Sequence, residues 1–580
     1  MKKLIANGLL GTALLVTSLS SVANEQQQLL ELRNTVLNLV DALVKQGVLN
    51  PDAAQALIKK AETDAAEQAA KQMAAAAPAM DVPVVKAAAE SAASSGASKV
   101  VRVPYVPEFV KQEIRDQVRA ELREDVLSDV SQKAKQERWG TPDALPAWIS
   151  NIKLYGDARV RNEFNHYGDG NADTLSAENL NLDIPRVNAA GGISQAGARA
   201  FLNTSDDNNR WRERVRLGLR AAVTDHWTFD TRLATGNQTN PVSTNQTLGN
   251  GGQRFSIQLD RAALLYDLPA EQGVSWLNST LNFSAGRIAN PWVSTDLVWD
   301  EDLNFDGAAF SLRHLTGEED GLAGLSNGGR SVFATIGLFP LQQVEFSSQD
   351  KWLAGGQLGV AWEFENQNKL QVASAYYDYI HVVGKRNALG STLRNSTQPP
   401  FLQKGNLLYN IANDPNLDGG ANDQLFALAS DYRLLDLTLS LDLAYLAPYH
   451  VIFKGDVVKN LGFDRDEIVT RTGGVTYLYP ISDRTLGWLF EVVTGWPQVN
   501  KFRDWQISAS YRYLQRDAVL DAFTESDFHL GGTDAKGWVL GGKYGLARNT
   551  WLQLRYLSSN AIDGPPLDID TLQVDLNAKF

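Results

Sequence analysis

From Trp148 to its end, the chain alternates apolar and polar residues in segments separated by turn residues. The last segment is the clearest, because Leu572, Val574 and Leu576 fall on one face while Gln573 and Asp575 fall on the other. A period of two indicates strands with one apolar and one polar side. About ten residues of alternation is also the length of a tilted strand that crosses a bilayer. The pattern therefore favours strands that separate lipid from water.

Sixteen segments alternate in this way, and short connections between them alternate with long ones. An even number of strands places both ends of a barrel on the periplasmic side and the long loops outside. We therefore predict an all-β transmembrane barrel over residues 150–580, and eighteen strands would result if 424–433 and 437–446 were separate. The predicted strands lie at 152–164, 212–223, 227–233, 254–266, 277–287, 307–315, 331–339, 356–364, 369–379, 435–446, 449–458, 486–496, 504–514, 536–546, 550–558 and 571–580.

Four segments with different patterns precede the barrel. Residues 1–23 have a basic start, an apolar core and small residues before Asn24, as a cleaved signal peptide has. Residues 24–72 carry apolar positions at 3–4 spacing, which predicts a coiled coil and favours self-association over ordinary helix packing. An Ala/Pro-rich linker over 73–107 and a charged helix over 108–146 follow. The predicted oligomer seam consists of Leu29, Leu32, Val36, Leu39 and Leu43.

Composition narrows the function classes. The chain of 580 residues has no cysteine, which excludes disulfides and thiolate chemistry, and its formal charge of −13 argues against a nucleic-acid partner. The mean hydropathy is slightly negative, so a bundle of membrane helices is excluded, whereas a barrel with one polar face is not. The histidines show no pairing motif and no Gly-x-Ser-x-Gly sequence occurs, so we expect no enzyme and no cofactor.

Charged residues on the early strands and in the third outer connection predict the narrowest part of the pore. Arginine facing lipid at mid-bilayer would cost about 2–4 kcal/mol, so the arginines on the polar faces of these strands are expected to line the lumen. Acids in the connection 288–306 would face them, and the two sets would either select ions by a transverse field or latch the loop by pairing. The candidates are Arg159, Arg161, Arg212, Arg214, Arg216, Arg220 and Arg232 on the strands, with Asp296, Asp300, Glu301, Asp302 and Asp306 in the loop.

Several motifs resemble the putative porin family of Gram-negative bacteria. They are Gly286-Arg-Ile-Ala-Asn-Pro-Trp292, Thr295 to Gly307, Asp517-Ala-Val-Leu-Asp-Ala-Phe and the terminal Phe580. The resemblance implies an outer-membrane barrel for passive diffusion of small hydrophilic solutes or ions, with Phe580 as the insertion signal for the barrel assembly machinery. It also implies a homotrimer in outer-membrane lipid. It names no solute and no ligand site.

Other hypotheses stay open at this stage. A barrel-anchored tether or adhesin, whose coil or outer loops contact a partner such as the cell wall, is the main alternative. An active transporter is less favoured, because its barrel of roughly 22 strands and its plug would need more residues than the chain has after Ser150. Asp414, Asn416 and Asp418 open a sequence like that of a calcium loop, but Leu425 stands where such a loop has its glutamate, so turn formation is favoured over calcium binding.

Overall fold

The computed structural model describes residues 151–176, 178–268, 279–316, 329–345, 347–364, 367–413 and 424–580. The predicted signal peptide, coil seam, linker and charged helix lie outside these residues, and so do the calcium-loop candidates at 414, 416 and 418. The following description concerns only the described residues.

Nineteen strands and three short α-helices make up the described residues. Seven helical segments lie in the connections of the described residues. They are α1 (Ile184–Ala190), α2 (Ile193–Ala196), α3 (Arg465–Thr472) and the 3-10 turns Gly197–Ala200, Asn395–Thr397, Asp521–Phe523 and Phe528–Leu530. The strands are β1 (Ile152–Tyr167), β2 (Asn208–Ala222), β3 (Trp227–Ala234), β4 (Gln246–Thr247), β5 (Gln258–Leu268), β6 (Ser279–Ala289), β7 (Asn304–Thr316), β8 (Arg330–Gln342), β9 (Lys351–Glu363), β10 (Lys369–Ile380), β11 (Leu408–Asn410), β12 (Phe426–Leu428), β13 (Arg433–Leu446), β14 (Tyr449–Asn460), β15 (Leu486–Gly495), β16 (Trp505–Leu514), β17 (Ala535–Ala547), β18 (Thr550–Ala561) and β19 (Asp568–Lys579).

Sixteen of these strands form one closed antiparallel barrel, which confirms the predicted fold. Each long strand pairs with its neighbours in sequence, and β1 closes the sheet by pairing with β19 from Asp157↔Lys579 to Tyr167↔Ile569. The two-residue β4 extends the wall beside β2. The alternative of eighteen strands is not observed, because β12 pairs with β11 in a separate two-stranded sheet.

The two faces of the barrel differ as the alternation predicts. Leu154, Ile336 and Leu358 are 67%, 61% and 67% exposed on the outer face, where a broad apolar surface of this kind is typical of lipid contact. Arg161 and Glu163, between outward residues of β1, are buried on the inner face. The barrel therefore has an apolar outside and a charged inside.

The eight connections at one end of the barrel are named L1 to L8 in chain order. In the expected orientation these are the outer loops, and the tight turns such as 223–226 and 447–448 face the periplasm. In L6, Asp464 is the N-cap of α3, and its side chain accepts bonds from the amides of Asp466 and Glu467. In the described part of the chain, no helix is long and apolar enough to cross a membrane. The loops are L1 (168–207), L2 (235–257), L3 (290–303), L4 (343–350), L5 (381–432), L6 (461–485), L7 (515–534) and L8 (562–567).

Candidate functional site: the lumen and its inserted loops

L3 enters the barrel and is fixed to the inner wall at its start. The side-chain amide of Gln357 on β9 accepts a bond from the amide of Val293 over 2.9 Å and donates one to its carbonyl over 2.8 Å. Farther along, the Thr295 hydroxyl donates to Asp456 Oδ2 of β14 over 2.6 Å. Gln357 and Asp456 are both almost completely buried, so these bonds are shielded from water.

Apolar packing holds one side of L3 against the barrel wall. The ring of Trp292 packs edge-on against Phe339 of β8 and Tyr377 of β10, with ring centres 6.1 and 5.3 Å apart. Gly355 on β9 makes room for this ring, because a Cβ there would lie 2.8 Å from Trp292 Cζ2. Trp299 packs against Tyr377 in the same cluster. This aromatic cluster therefore packs one side of L3 against the wall formed by β8, β9 and β10.

The end of L3 contacts the opposite wall through charged groups. Asp302 Oδ1 accepts a bond from Arg216 over 2.8 Å and lies 3.5 Å from Arg214, both on β2. Its Oδ2 accepts bonds from the amide and hydroxyl of Thr244 in L2, over 3.1 and 2.9 Å. Burial raises the pKa of Asp302, but the two guanidinium groups outweigh it and leave the pKa below its ordinary value. Asp302 is thus an ionised anchor for L3.

Asp300 is held by backbone groups instead. Its Oδ2 accepts a bond from the Ser526 amide of L7 over 3.0 Å, and its own amide donates to the Phe523 carbonyl over 2.8 Å. Burial raises the pKa of Asp300 well above its usual range, and the nearby charge of Asp302 raises it further. Asp300 therefore joins L3 to L7 in an environment that favours its neutral form.

L7 enters the lumen together with L3. Asp527 accepts a bond from Arg161 over 2.5 Å and lies 3.3 Å from Arg555 of β18. Burial raises the pKa of Asp527, but the charges of Arg161, Arg555 and Arg212 outweigh it and hold the pKa well below its ordinary value. Glu525 pairs with Arg512 and Arg555 at 3.3 Å each, yet burial keeps its pKa raised.

Three loops meet where L3 and L7 touch. Thr244 of L2 holds Asp302, and the Ser526 hydroxyl of L7 donates to the Val242 carbonyl of L2 over 3.0 Å. Asp300 bridges L3 and L7. We call this junction of L2, L3 and L7 the septum. The septum stands between two spaces. One, the chamber, is lined by the barrel strands and reaches the turn around Gln498 and Asn500. The other, the vestibule, lies among L2, L5 and L7.

The predicted arginines fall into four groups. Arg214 and Arg216 contact L3, whereas Arg161 and Arg212 contact Asp527 of L7, with Arg212 3.6 Å away. Arg159 donates to Asn245 of L2 over 2.5 Å. Arg220 and Arg232 lie apart from L3, and they pair with Asp230 and Asp260 on the barrel wall.

The predicted acids also separate. Within L3, Asp296 and Glu301 are the exposed acids, with side chains 42% and 74% accessible, and they pair with Arg512 and Arg214 at 3.0 and 3.3 Å. Asp300 and Asp302 are buried in the septum. Asp306 does not belong to the loop, because β7 begins at Asn304, and it pairs with Arg287 of β6 over 3.0 Å.

Five basic residues of the chamber were not selected in the sequence analysis. They lie on the polar faces of the late strands, at alternate positions within the predicted strands, so the same parity argument that selected the early arginines would have found them. Together with the exposed acids of L3 they line a chamber that encloses about 2730 Å³ of space, part of it open to solvent. They are Lys454, Arg512, Lys543, Arg555 and Lys579.

Among the described ranges, no three histidine or acidic side chains come together as a ligand set for a metal ion. The calcium-loop candidates lie outside these ranges, so their prediction is untested.

A closed barrel with an apolar outer face and a charged interior narrowed by inserted loops defines the porin class of membrane channel. The chain belongs to the putative porin family, whose model matches residues 33–580. It is therefore a protein of the bacterial outer membrane.

Comparison with curated proteins and solved structures adds little to this assignment. No curated protein matches the chain. Among solved structures, Pseudomonas putida OprB is similar at 10% identity and a TM-score of 0.39, over 74% of this chain and 95% of that one. Salmonella typhi OmpF in complex with daunomycin is 13% identical with a TM-score of 0.34, over 74% and 97% of the two chains. The outer membrane channel DcaP of Acinetobacter baumannii is 9% identical with a TM-score of 0.34, over the same shares.

Proposed function

We propose that this porin gives passive diffusion to small hydrophilic solutes or ions through its water-filled chamber, and that L3 sets the narrowest part. The observation that carries the proposal is the opposition of charges across the chamber. Asp296 and Glu301 expose their carboxylates from L3, while Arg512, Lys543 and Arg555 line the late strands. Opposed charges at a narrow place are a means by which pores select ions.

The early arginines take two parts in this proposal. Arg214 contacts the exposed Glu301 and contributes to the field, whereas Arg216 holds the buried Asp302 and acts as a latch. Both hypotheses from the sequence, the field and the latch, are therefore retained, but for different residue pairs.

Single-channel recording in a salt gradient tests the proposal. Changing Arg212, Arg214 and Arg216 to Gln should shift the reversal potential toward cation selectivity, because positive charge leaves the pore wall. A barrel that assembles normally and passes no current in potassium chloride would refute diffusion and favour the tether. Conductance changes without a shift of reversal potential would refute the field and leave the latch.

We also propose that the barrel is inserted by the assembly machinery through its last strand and works as a homotrimer. Support for the first part is the pairing of β19 with β1, which places the terminal residue at the seam. Support for the second is the 3–4 spacing of the predicted coil over 24–72.

A further inference from the structure

The vestibule outside the septum has an amphipathic lining. It encloses about 1970 Å³, part of it open to solvent, between L2, L5, L7 and the outer ends of β5 to β9. Pro400 and Phe401 of L5, Phe523 of L7 and Leu303 at the end of L3 give it an apolar wall. An apolar cavity with a few polar groups is the usual form of a small-molecule site.

One positive charge in this vestibule lacks a negative partner. Lys351, the first residue of β9, is 3% exposed, and its ammonium group donates to the carbonyl of Gln398 over 2.5 Å. No carboxylate among the described residues forms an ion pair with it. A buried charge without a counter-charge is costly, so a bound anion would be stabilising there.

The other charges of the vestibule are already paired. Arg287 lies 3.0 Å from Asp306, and Asp260 accepts a bond from Arg232. The lining therefore presents one unpaired cation beside an apolar wall. A single cation suits a single negative charge, and the apolar wall disfavours a multiply charged or fully hydroxylated solute.

We propose that the vestibule is a binding site for a monocarboxylate with an apolar body, whose carboxylate pairs with Lys351. The apolar body would lie against Phe401 and Phe523, and the bound solute would stand directly outside the septum. This inference rests on the proposed porin function and deepens it, because it names a class of solute that the channel would concentrate at its entrance.

Equilibrium binding of three small molecules to the purified full chain tests the inference. They are benzoate, its neutral analogue benzamide, and acetate, and saturation-transfer NMR measures their binding. Benzoate should bind at least tenfold more tightly than benzamide, because only benzoate can form the charge-assisted bond. It should also bind more tightly than acetate, which has no ring to bury. Equal binding of benzoate and benzamide would overturn the inference without any variant.

Variants locate the site. Lys351→Met should weaken benzoate binding about tenfold or more, whereas Lys351→Arg should keep it within about threefold. Phe401→Ala should weaken benzoate binding and leave acetate unchanged. Lys385→Met is the matched control, because Lys385 is a basic residue of L5 that does not line the vestibule. An equal loss in Lys385→Met and Lys351→Met would overturn the inference, since it would indicate a general charge effect.

Potassium chloride conductance separates this inference from the proposed function. A channel that conducts but does not bind benzoate refutes only the site. A barrel that binds benzoate through Lys351 but does not conduct refutes diffusion and leaves the site standing.

Discussion

Arg216 donates from Nη1 to Asp302 Oδ1 over 2.8 Å, and this pair fixes the end of L3 to β2. The same guanidinium donates from Nε to Asp157 of β1 over 2.8 Å. One arginine thus ties the inserted loop to two neighbouring strands of the wall.

Asp302→Asn should loosen L3 with little effect on charge selectivity. The substitution removes the charge that pairs with Arg214 and Arg216, and breaking a buried pair costs about 3–5 kcal/mol. We expect larger current fluctuations and an altered mean conductance in single-channel recordings. Steady current indistinguishable from that of the unaltered protein would show that Asp302 does not hold the loop.

Glu301→Gln and Asp300→Asn should differ in their effect on selectivity. Glu301 is exposed to the chamber, so its loss should shift the reversal potential toward anion selectivity. Asp300 has a raised pKa, so its neutral form is favoured and the amide should change the potential much less. Equal shifts would contradict the assignment of Asp300 to the septum. Asp296→Asn is a second exposed-acid variant that should behave like Glu301→Gln.

Acid should weaken the attachment of L7. The folded-state pKa of Asp527 lies well below its ordinary value, so its ion pairs stabilise the protein fully above the ordinary carboxyl pKa of about 4. This contribution is lost as the pH falls through the depressed folded-state pKa. We expect the unfolding temperature to fall as the pH is lowered below about 4. The shift of the folded band on unboiled gels measures this temperature.

Asp527→Asn provides the control for that experiment. The variant should be less stable at neutral pH, because Arg161 and Arg555 lose a partner, and its stability should depend less on acid. If both proteins respond to acid alike, other carboxylates determine the effect.

Gly156→Ala should impair barrel closure. The amide of Gly156 donates to the Phe580 carbonyl over 3.0 Å, and the amide of Phe580 donates to the Gly156 carbonyl over 3.0 Å. An added Cβ at Gly156 would lie 2.5 Å from the Arg216 carbonyl oxygen and 2.6 Å from Phe580 Cζ. Such overpacking costs about 1–3 kcal/mol.

Deletion of Phe580 should have a stronger effect on assembly, with unfolded chain remaining in the periplasm. The folded fraction on unboiled gels measures the assembly of both the Gly156→Ala variant and the protein without Phe580. Gly542→Ala is a matched control, since a Cβ there meets nothing within 4 Å. Normal insertion without Phe580 would show that the terminal residue is not the insertion signal.

Replacing Leu32 and Leu39 with Asp should lower oligomer stability and leave the barrel intact. The charges would lie in the predicted seam over 24–72, separate from the barrel strands. Native gel migration measures the oligomer, and the folded band on unboiled gels measures the barrel. Unchanged migration of the native oligomer would instead favour a partner role for the coil.

Alternation predicted the barrel well because its period is local. Every predicted strand overlaps an observed one, and β10 was predicted within one residue, at 369–379 against Lys369–Ile380. The start of β9 was missed by five residues, since Gly355 and Gly356 interrupt the pattern after Lys351. Gly355 is required by Trp292, which is distant in sequence, so no local signal reveals its role.

The candidate site was predicted less completely, because pairing depends on how loops enter the barrel. The sequence suggested that the acids of L3 face arginines, and Asp302 does contact Arg214 and Arg216. Entry of L7 was missed, although the segment from Ala518 to Phe523 is apolar at every position but Asp521, which is unusual for a solvated loop. Two ion pairs depend on that entry, Arg161 with Asp527 and Arg512 with Glu525. The sequence did not reveal them, because loop positions carry no periodic signal.

Closure of the seam between β1 and β19 depends on the register of every other strand pair in the barrel. A slip of one residue in any hairpin exchanges the inward and outward side chains of every later strand. After a single slip, the last strand would reach β1 with its inward and outward faces exchanged. Val160 could then pair with Leu576 only if Arg161 pointed toward lipid. Two slips of opposite sense would cancel, whereas a single one would leave the cylinder open. The ladder between β1 and β19 therefore closes in register only if the registers of all the other strand pairs add up correctly.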